Sequence, residues 1–212
     1  DHEQINRLVN EQTEIGMLLG LPGLLATMSL ATWVIYVFYV GEFMPAVSLI
    51  PWFILGCMQR VVSWPLGFVL RSMGEEKLFV ITETIFHGSH LLLVLVAVSY
   101  WQLEGAAVAF FMTNTLVTVI IYCVISNLTG FRWSSANKRL FSFVAPVMLL
   151  TFALAKILPL LPLTVCGLIV SCLATLICLS GLVSRLGSEH RLSRIALRIP
   201  FIKIFCHTRF CR

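Results

Sequence analysis

IGMLLGLPGLLATMSLATWVIYVFYV, residues 15–40, is the stretch that decides the fold. These 26 consecutive residues carry no charge. The hydrocarbon core of a bilayer is about 30 Å thick and asks for about 20 apolar residues per helix, so the stretch is long enough to cross. Its apolar residues surround the helix without a polar stripe, as lipid requires. Pro22 and Gly23 interrupt it, which lipid-embedded helices tolerate. The whole chain has the same character. Of its 212 residues, 58% are hydrophobic and only 12% charged, and the mean hydropathy is +0.93. A soluble domain carries about 25% charged residues, and half that charge cannot coat a surface in water. Composition therefore excludes a soluble globular enzyme, a disordered chain and a free nucleic-acid binder. It predicts an all-α integral membrane protein.

Outward from this stretch lie five more apolar runs. Residues 43–70 are interrupted only by Arg60, and residues 78–101 only by Glu83. Residues 103–126 have Glu104 at their mouth, residues 140–157 end at Lys156, and residues 163–183 are uncharged. About six transmembrane helices are expected. With an even number of crossings, residues 1–14, 71–77, 127–139 and 184–212 share one side and hold thirteen of the Lys and Arg residues. The other side holds Lys156 at most. Such a bias places the basic side in the cytoplasm, so both ends of the chain are expected there. It also explains the net charge of +5 without nucleic acid. Trp101 and Trp133 stand at span ends, where interfacial anchors belong.

Residues 184–212 form a basic tail. Leu192, Ile195, Ala196, Ile199 and Ile202 recur at helical spacing among its arginines. The pattern predicts an amphipathic cytoplasmic helix on anionic lipid, bent or broken at Pro200, or else a simple positive-inside anchor. The seven cysteines form no CxxC, and Cys211 lacks the context of a prenylation site. They read as small apolar fillers. The chain opens on Asp1 with a polar stretch and no cleavable signal pattern, which points to a fragment.

Charges inside the membrane cost several kcal/mol unless they face a cavity or a partner. Arg60 lies 11 residues before Arg71, about 16 Å from the cytoplasmic end at 1.5 Å per residue. Snorkelling is difficult from there. Gln59, Ser63 and Trp64 neighbour it, and Arg60, Ser63 and Trp64 share a helical face. A guanidinium beside a hydroxyl and an indole suits a phosphate- or sugar-bearing ligand, and it equally suits a structural ion pair with the next helix. Glu83, His87 and His90 fall at i, i+4 and i+7 on the following span. They are expected to line one aqueous cavity with Arg60, where Glu83 balances the guanidinium and the histidines carry protons. For each histidine alone, an interhelical packing role competes with this. Two histidines and one carboxylate are too few for a metal enzyme, and no GxSxG, P-loop, GxGxxG or HEXXH motif occurs. Neither a cofactor nor an enzymatic activity is expected.

Several runs, taken in order, resemble a known family. They are RLVNEQTEIGMLLGLPGLLATMSLATWVIYVFYVGEF, then RVVSWPLGFVL with Gly74 and Lys77 after it, FVITET, WQLEGAAVAFF, and GFRWS at 130–134. Over about residues 7–134 this is similar to the Wzx-type O-antigen or polysaccharide repeat-unit flippases of the multidrug/oligosaccharidyl-lipid/polysaccharide exporter superfamily. The resemblance implies two six-helix lobes around a central cavity that opens to one side at a time. It implies transport of undecaprenyl-diphosphate-linked oligosaccharide across the bacterial inner membrane, coupled to an ion or proton gradient. Arg60 then falls where members carry a basic residue before the SWPLG run, and Glu83 on a recurrent glutamate. No family role attaches to the histidines.

On that resemblance, residues 1–14 are a cytoplasmic lead-in and 15–128 are a four-helix part of the second lobe. Residues 129–139 are a cytoplasmic loop, and 140–183 the two extra helices of fourteen-helix members. The implied partners are a lipid-linked oligosaccharide, membrane lipids and the missing N-terminal lobe of the same protein. Three other readings compete. A drug or cation exporter of the same superfamily should have acidic cavity residues instead of Arg60. A membrane-bound glycosyl or acyl transferase should have longer loops. A structural membrane subunit should seal Arg60 and Glu83 as a pair.

Overall fold

The computed structural model describes residues 2–39 and 41–186, and these are helical apart from short turns. Five helices, α1 (His2–Phe38), α2 (Ile50–Ser72), α3 (Glu76–Thr129), α4 (Ser135–Ile157) and α5 (Leu160–Leu186), follow one another. All five are long and apolar enough to cross a membrane, the architecture of a membrane-embedded protein. The expected tail helix lies beyond Leu186, outside the described residues.

The first helix begins earlier than expected. Residues 2–14 are not a loop: they continue α1 to 37 residues, about 55 Å at the helical rise. Glu, Gln, Leu and Arg dominate this lead-in and are good helix formers. Its buried positions Val9, Thr13, Met17, Leu21, Leu25, Met28 and Ile35 recur every three, four or seven residues and form one stripe. That stripe packs against α2, α4 and α5. Glycine permits the closest approach: a Cβ at Gly167 of α5 would run into the Ser29 side chain of α1. Tight contact of this kind holds helices together where lipid is as apolar as the side chains.

The second run is shorter as a helix than its apolar length suggested. Gly41–Ser48 form a 3-10 helix, and α2 starts only at Ile50. Pro51 falls in the first turn of α2, where its missing N–H costs no helical hydrogen bond, a favourable place for a helix to begin. At the far end, Gly74 takes φ +74°. Its N–H bonds the Arg71 carbonyl at 3.2 Å, and the Glu75 N–H bonds the Leu70 carbonyl at 2.9 Å. This pair of bonds is a Schellman stop.

The third and fourth apolar runs both lie within α3. A straight helix of 54 residues would reach about 80 Å. Instead the chain breaks at Gln102 (φ 49°, ψ −128°) and returns. His90 and Thr113 would lie about 35 Å apart on a continuous helix, yet their side chains meet at 3.2 Å. Residues 76–101 and 103–129 are thus two arms of a hairpin. The return arm offers Gly105, Ala109 and Thr113, all buried small residues one turn apart, to the outbound arm. The Gln102 angles match the first central position of a type II′ turn, which favours glycine. Gln102→Gly should therefore stabilise the protein by about 1 kcal/mol, read as a rise in the thermal midpoint in detergent. An unchanged or lowered midpoint would show that the side chain contributes more than its backbone costs.

The hairpin packs on α2, and α2 packs in turn on α1, with α4 and α5 against α1. At one end, asparagines tie α1 to the segment before α4. The Asn10 side chain accepts from the Ser134 N–H at 2.8 Å and the Asn137 amide at 2.9 Å. It also donates to the Arg132 carbonyl at 3.2 Å. Asn6 and Thr129 bond each other alongside. Ser134 caps α4 by accepting from the Asn137 N–H, so α4 begins at Ser135, earlier than the expected 140. Trp133, expected at a span end as an interfacial anchor, lies between α3 and α4 and packs against Tyr122, Phe131 and Phe141. At the opposite end, Lys156 pairs with Glu104 at 3.1 Å, and Trp33 donates to the Thr164 hydroxyl at 2.9 Å.

Candidate functional site

Arg60 stands at the middle of α2, ten residues from one end and twelve from the other. Helical geometry carries Ser63, Trp64 and Gly67 round with it to face the hairpin. The outbound arm supplies Phe79, Thr82, Glu83 and Phe86, and the return arm Asn114 and Val117. Together they line a cleft of about 510 Å³ counted to its open mouth. The cavity volume proper is about 60 Å³, enough for a few waters. A ligand of headgroup size would lie largely at the mouth, against Arg60.

The guanidinium lies over the Phe86 ring, 5.2 Å from its centroid. The ring's negative face favours a cation there and leaves the N–H groups at the guanidinium edge free to donate. No ion pair to Arg60 forms among the described residues. Glu83 shares the cleft with Arg60 but pairs along its own helix. Its Oε2 is 3.6 Å from His87 Nε2. Ser63 donates to the Arg60 carbonyl at 3.4 Å. Trp64 is 62% exposed and stacks on Phe68 with ring centroids 5.9 Å apart. An exposed indole of this kind can take the apolar face of a sugar ring.

Three expected members of the site lie elsewhere. Gln59 is one residue from Arg60, hence about 100° round the helix. Its Oε1 accepts from the Thr115 hydroxyl at 2.9 Å, and it borders a separate, mostly apolar groove with Met17, Met58, Phe141 and Met148. His90 turns inward to Thr113 and packs its ring against Phe86 and Phe110. It has the interhelical packing role. His87 is outside the Arg60 cleft proper, on the outward face beside Glu83, Thr84 and Gly88. The shared cavity thus unites Arg60 with Glu83 and omits both histidines.

Two cleft residues escaped the sequence reading. Phe86 looks like any apolar residue of a span until its ring is found under Arg60. Asn114 is 2% exposed and donates to the Phe110 carbonyl at 2.8 Å. An amide inside the apolar run FFMTNTLVTV was a visible signal. Among the described residues, no three His, Cys, Asp or Glu side chains gather to hold a metal.

Fold and cleft together define a membrane-embedded helical protein with a cationic, aromatic-walled recess at mid-helix. No protein-family model, curated protein or solved structure matches the chain.

Proposed function

We propose that this chain is part of a flippase that moves undecaprenyl-diphosphate-linked oligosaccharide repeat units across the bacterial inner membrane. Arg60 binds the diphosphate and Trp64 carries a sugar. The observation that carries the reading is the unpaired Arg60, half-way along an apolar helix and opening to a cleft. A guanidinium left without a carboxylate at such a depth needs an anion or water. Its planar fork suits two phosphate oxygens at once. The absence of an Arg60–Glu83 ion pair disfavours the sealed structural subunit.

In this reading the two α3 arms each cross the bilayer, giving six crossings with the basic ends in the cytoplasm. The outward face of Glu83 and His87 cannot rest against acyl chains, so a second helical bundle closes over it and encloses a watery passage. That bundle is the other lobe of the transporter, and the two rock against each other. The chain itself does no bond chemistry. The experiment is depletion of the protein followed by assay of lipid-linked repeat units on each leaflet. Units stranded on the inner leaflet are expected. Normal surface polysaccharide with no such accumulation would refute the function.

A further inference from the structure

We propose that His87 is a proton-operated switch for the Arg60 site, deciding whether Glu83 is held on its own helix or released to neutralise Arg60. The proposal rests on Arg60 being the anion-binding group. Glu83 has two cationic neighbours and one carboxylate to give. It lines the same cleft as Arg60, while its Oε2 is 3.6 Å from His87 Nε2, one turn along the helix. The attraction of Arg60 is permanent, because a guanidinium does not lose its proton in proteins. That of His87 exists only while the imidazole is protonated.

With His87 charged, Glu83 is retained at i,i+4, as in this structure, and the Arg60 donors are available to an anion. With His87 neutral, the retaining charge is gone. Glu83 then faces Arg60 across the cleft with no competitor, and their ion pair fills the anion's seat. Among the described residues, Glu83 is the one carboxylate that lines the cleft of Arg60 and the face of His87. From α2 the charged groups are Arg60 and, at its end, Arg71, whose guanidinium lies 4.3 Å from the Phe79 centroid. The return arm shows the cleft only the neutral Asn114, Val117 and Ile121. On the outbound arm, His90 is engaged by Thr113.

The sign follows. Anion binding is favoured where His87 carries its proton and weakened where it has lost it, so affinity should fall as the pH rises. By linkage, a bound anion draws a proton onto His87, and its departure returns that proton to water. With ten-fold coupling, anion entry is thus accompanied by up to about half a proton, which gives the transporter a means of coupling to a proton gradient. His87 positions Glu83 and does not touch the ligand.

The test measures binding to the intact transporter, with the bundle that covers the Glu83–His87 face, in lipid nanodiscs at about pH 5 and about pH 8. Inorganic pyrophosphate and sulfate serve as probes, sulfate because its own charge is constant over that range. The unmodified chain should bind sulfate about ten-fold tighter at the lower pH, within the usual range of coupling. His87→Gln should bind weakly at both, Glu83→Gln tightly at both, and Arg60→Gln at neither. If His87→Gln or Glu83→Gln keeps the full pH dependence, the switch is wrong while the anion site stands. If Arg60→Gln binds like the unmodified chain, or the unmodified chain binds neither probe, the anion site itself is wrong and the switch falls with it.

Discussion

Arg60→Glu should abolish export of the lipid-linked oligosaccharide while leaving the protein in the membrane at its normal abundance. The substitution removes the donors that face the cleft and sets a second carboxylate beside Glu83. Each charge-assisted hydrogen bond to a phosphate oxygen contributes about 1.5–3 kcal/mol. Losing two of them is worth on the order of 100-fold or more in affinity, before repulsion between carboxylate and diphosphate is added. Arg60→Lys should fall between, because an ammonium keeps the charge and loses the bidentate fork. Stability is expected to change little, since Arg60 makes no ion pair among the described residues and is exposed. Transport in a reconstituted or cellular assay, normalised to protein level, gives the answer. Full activity of the glutamate variant would remove Arg60 from the mechanism.

The second large effect concerns the hairpin. Gly105→Val should destabilise the protein by about 3 kcal/mol or more and separate the two arms of α3. A Cβ at Gly105 would collide with the Ala97 carbonyl and the Val98 nitrogen, which are backbone atoms and cannot swing aside. Gly88 supplies the control within the same helix, because a Cβ there meets nothing. Gly88→Val should therefore unfold near the parent midpoint and Gly105→Val well below it. The hairpin brings Glu83 and Asn114 to opposite walls of one cleft, so Gly105→Val should also weaken anion binding. Equal midpoints for the two variants would mean that the arms are not in contact at Gly105.

Much of this was legible in the chain, for reasons that differ from residue to residue. The uncharged run at 15–40 leaves no soluble alternative, because nothing in it can face water. Arg60, Ser63 and Trp64 were found together because helical spacing alone puts them on one face. The same geometry, applied strictly, would have separated Gln59 from them. The lead-in at 2–14 is polar, and its apolar signal for a helix is only the i, i+3, i+4 set of Ile5, Leu8 and Val9. Its helix is fixed by Asn6 and Asn10 reaching residues more than 120 positions away. His90 shows the same blindness. Its i+7 spacing from Glu83 promised a common face; the reversal at Gln102 follows from the two separate apolar runs, but which residue of the return arm meets His90 is a matter of register that no local pattern announces. The 3-10 helix at Gly41–Ser48 is not legible from its prolines, because Pro22, Pro65 and Pro146 lie inside α1, α2 and α4 without ending them.

Helix α1 is fastened near both tips, to the α4 cap through Asn10 and to α5 through Trp33. Pro22 lies between these fastenings, where the backbone ladder lacks one rung. Bending of the rod under load should therefore concentrate at that gap. Residues 2–21 would follow the head of α4 and residues 23–38 the Thr164 end of α5, while α5, which touches α1 at both Leu18 and Ser29, would bend with the rod. Motion begun at one membrane surface would reach the other as a change of angle at Pro22, with no need for either fastening to let go.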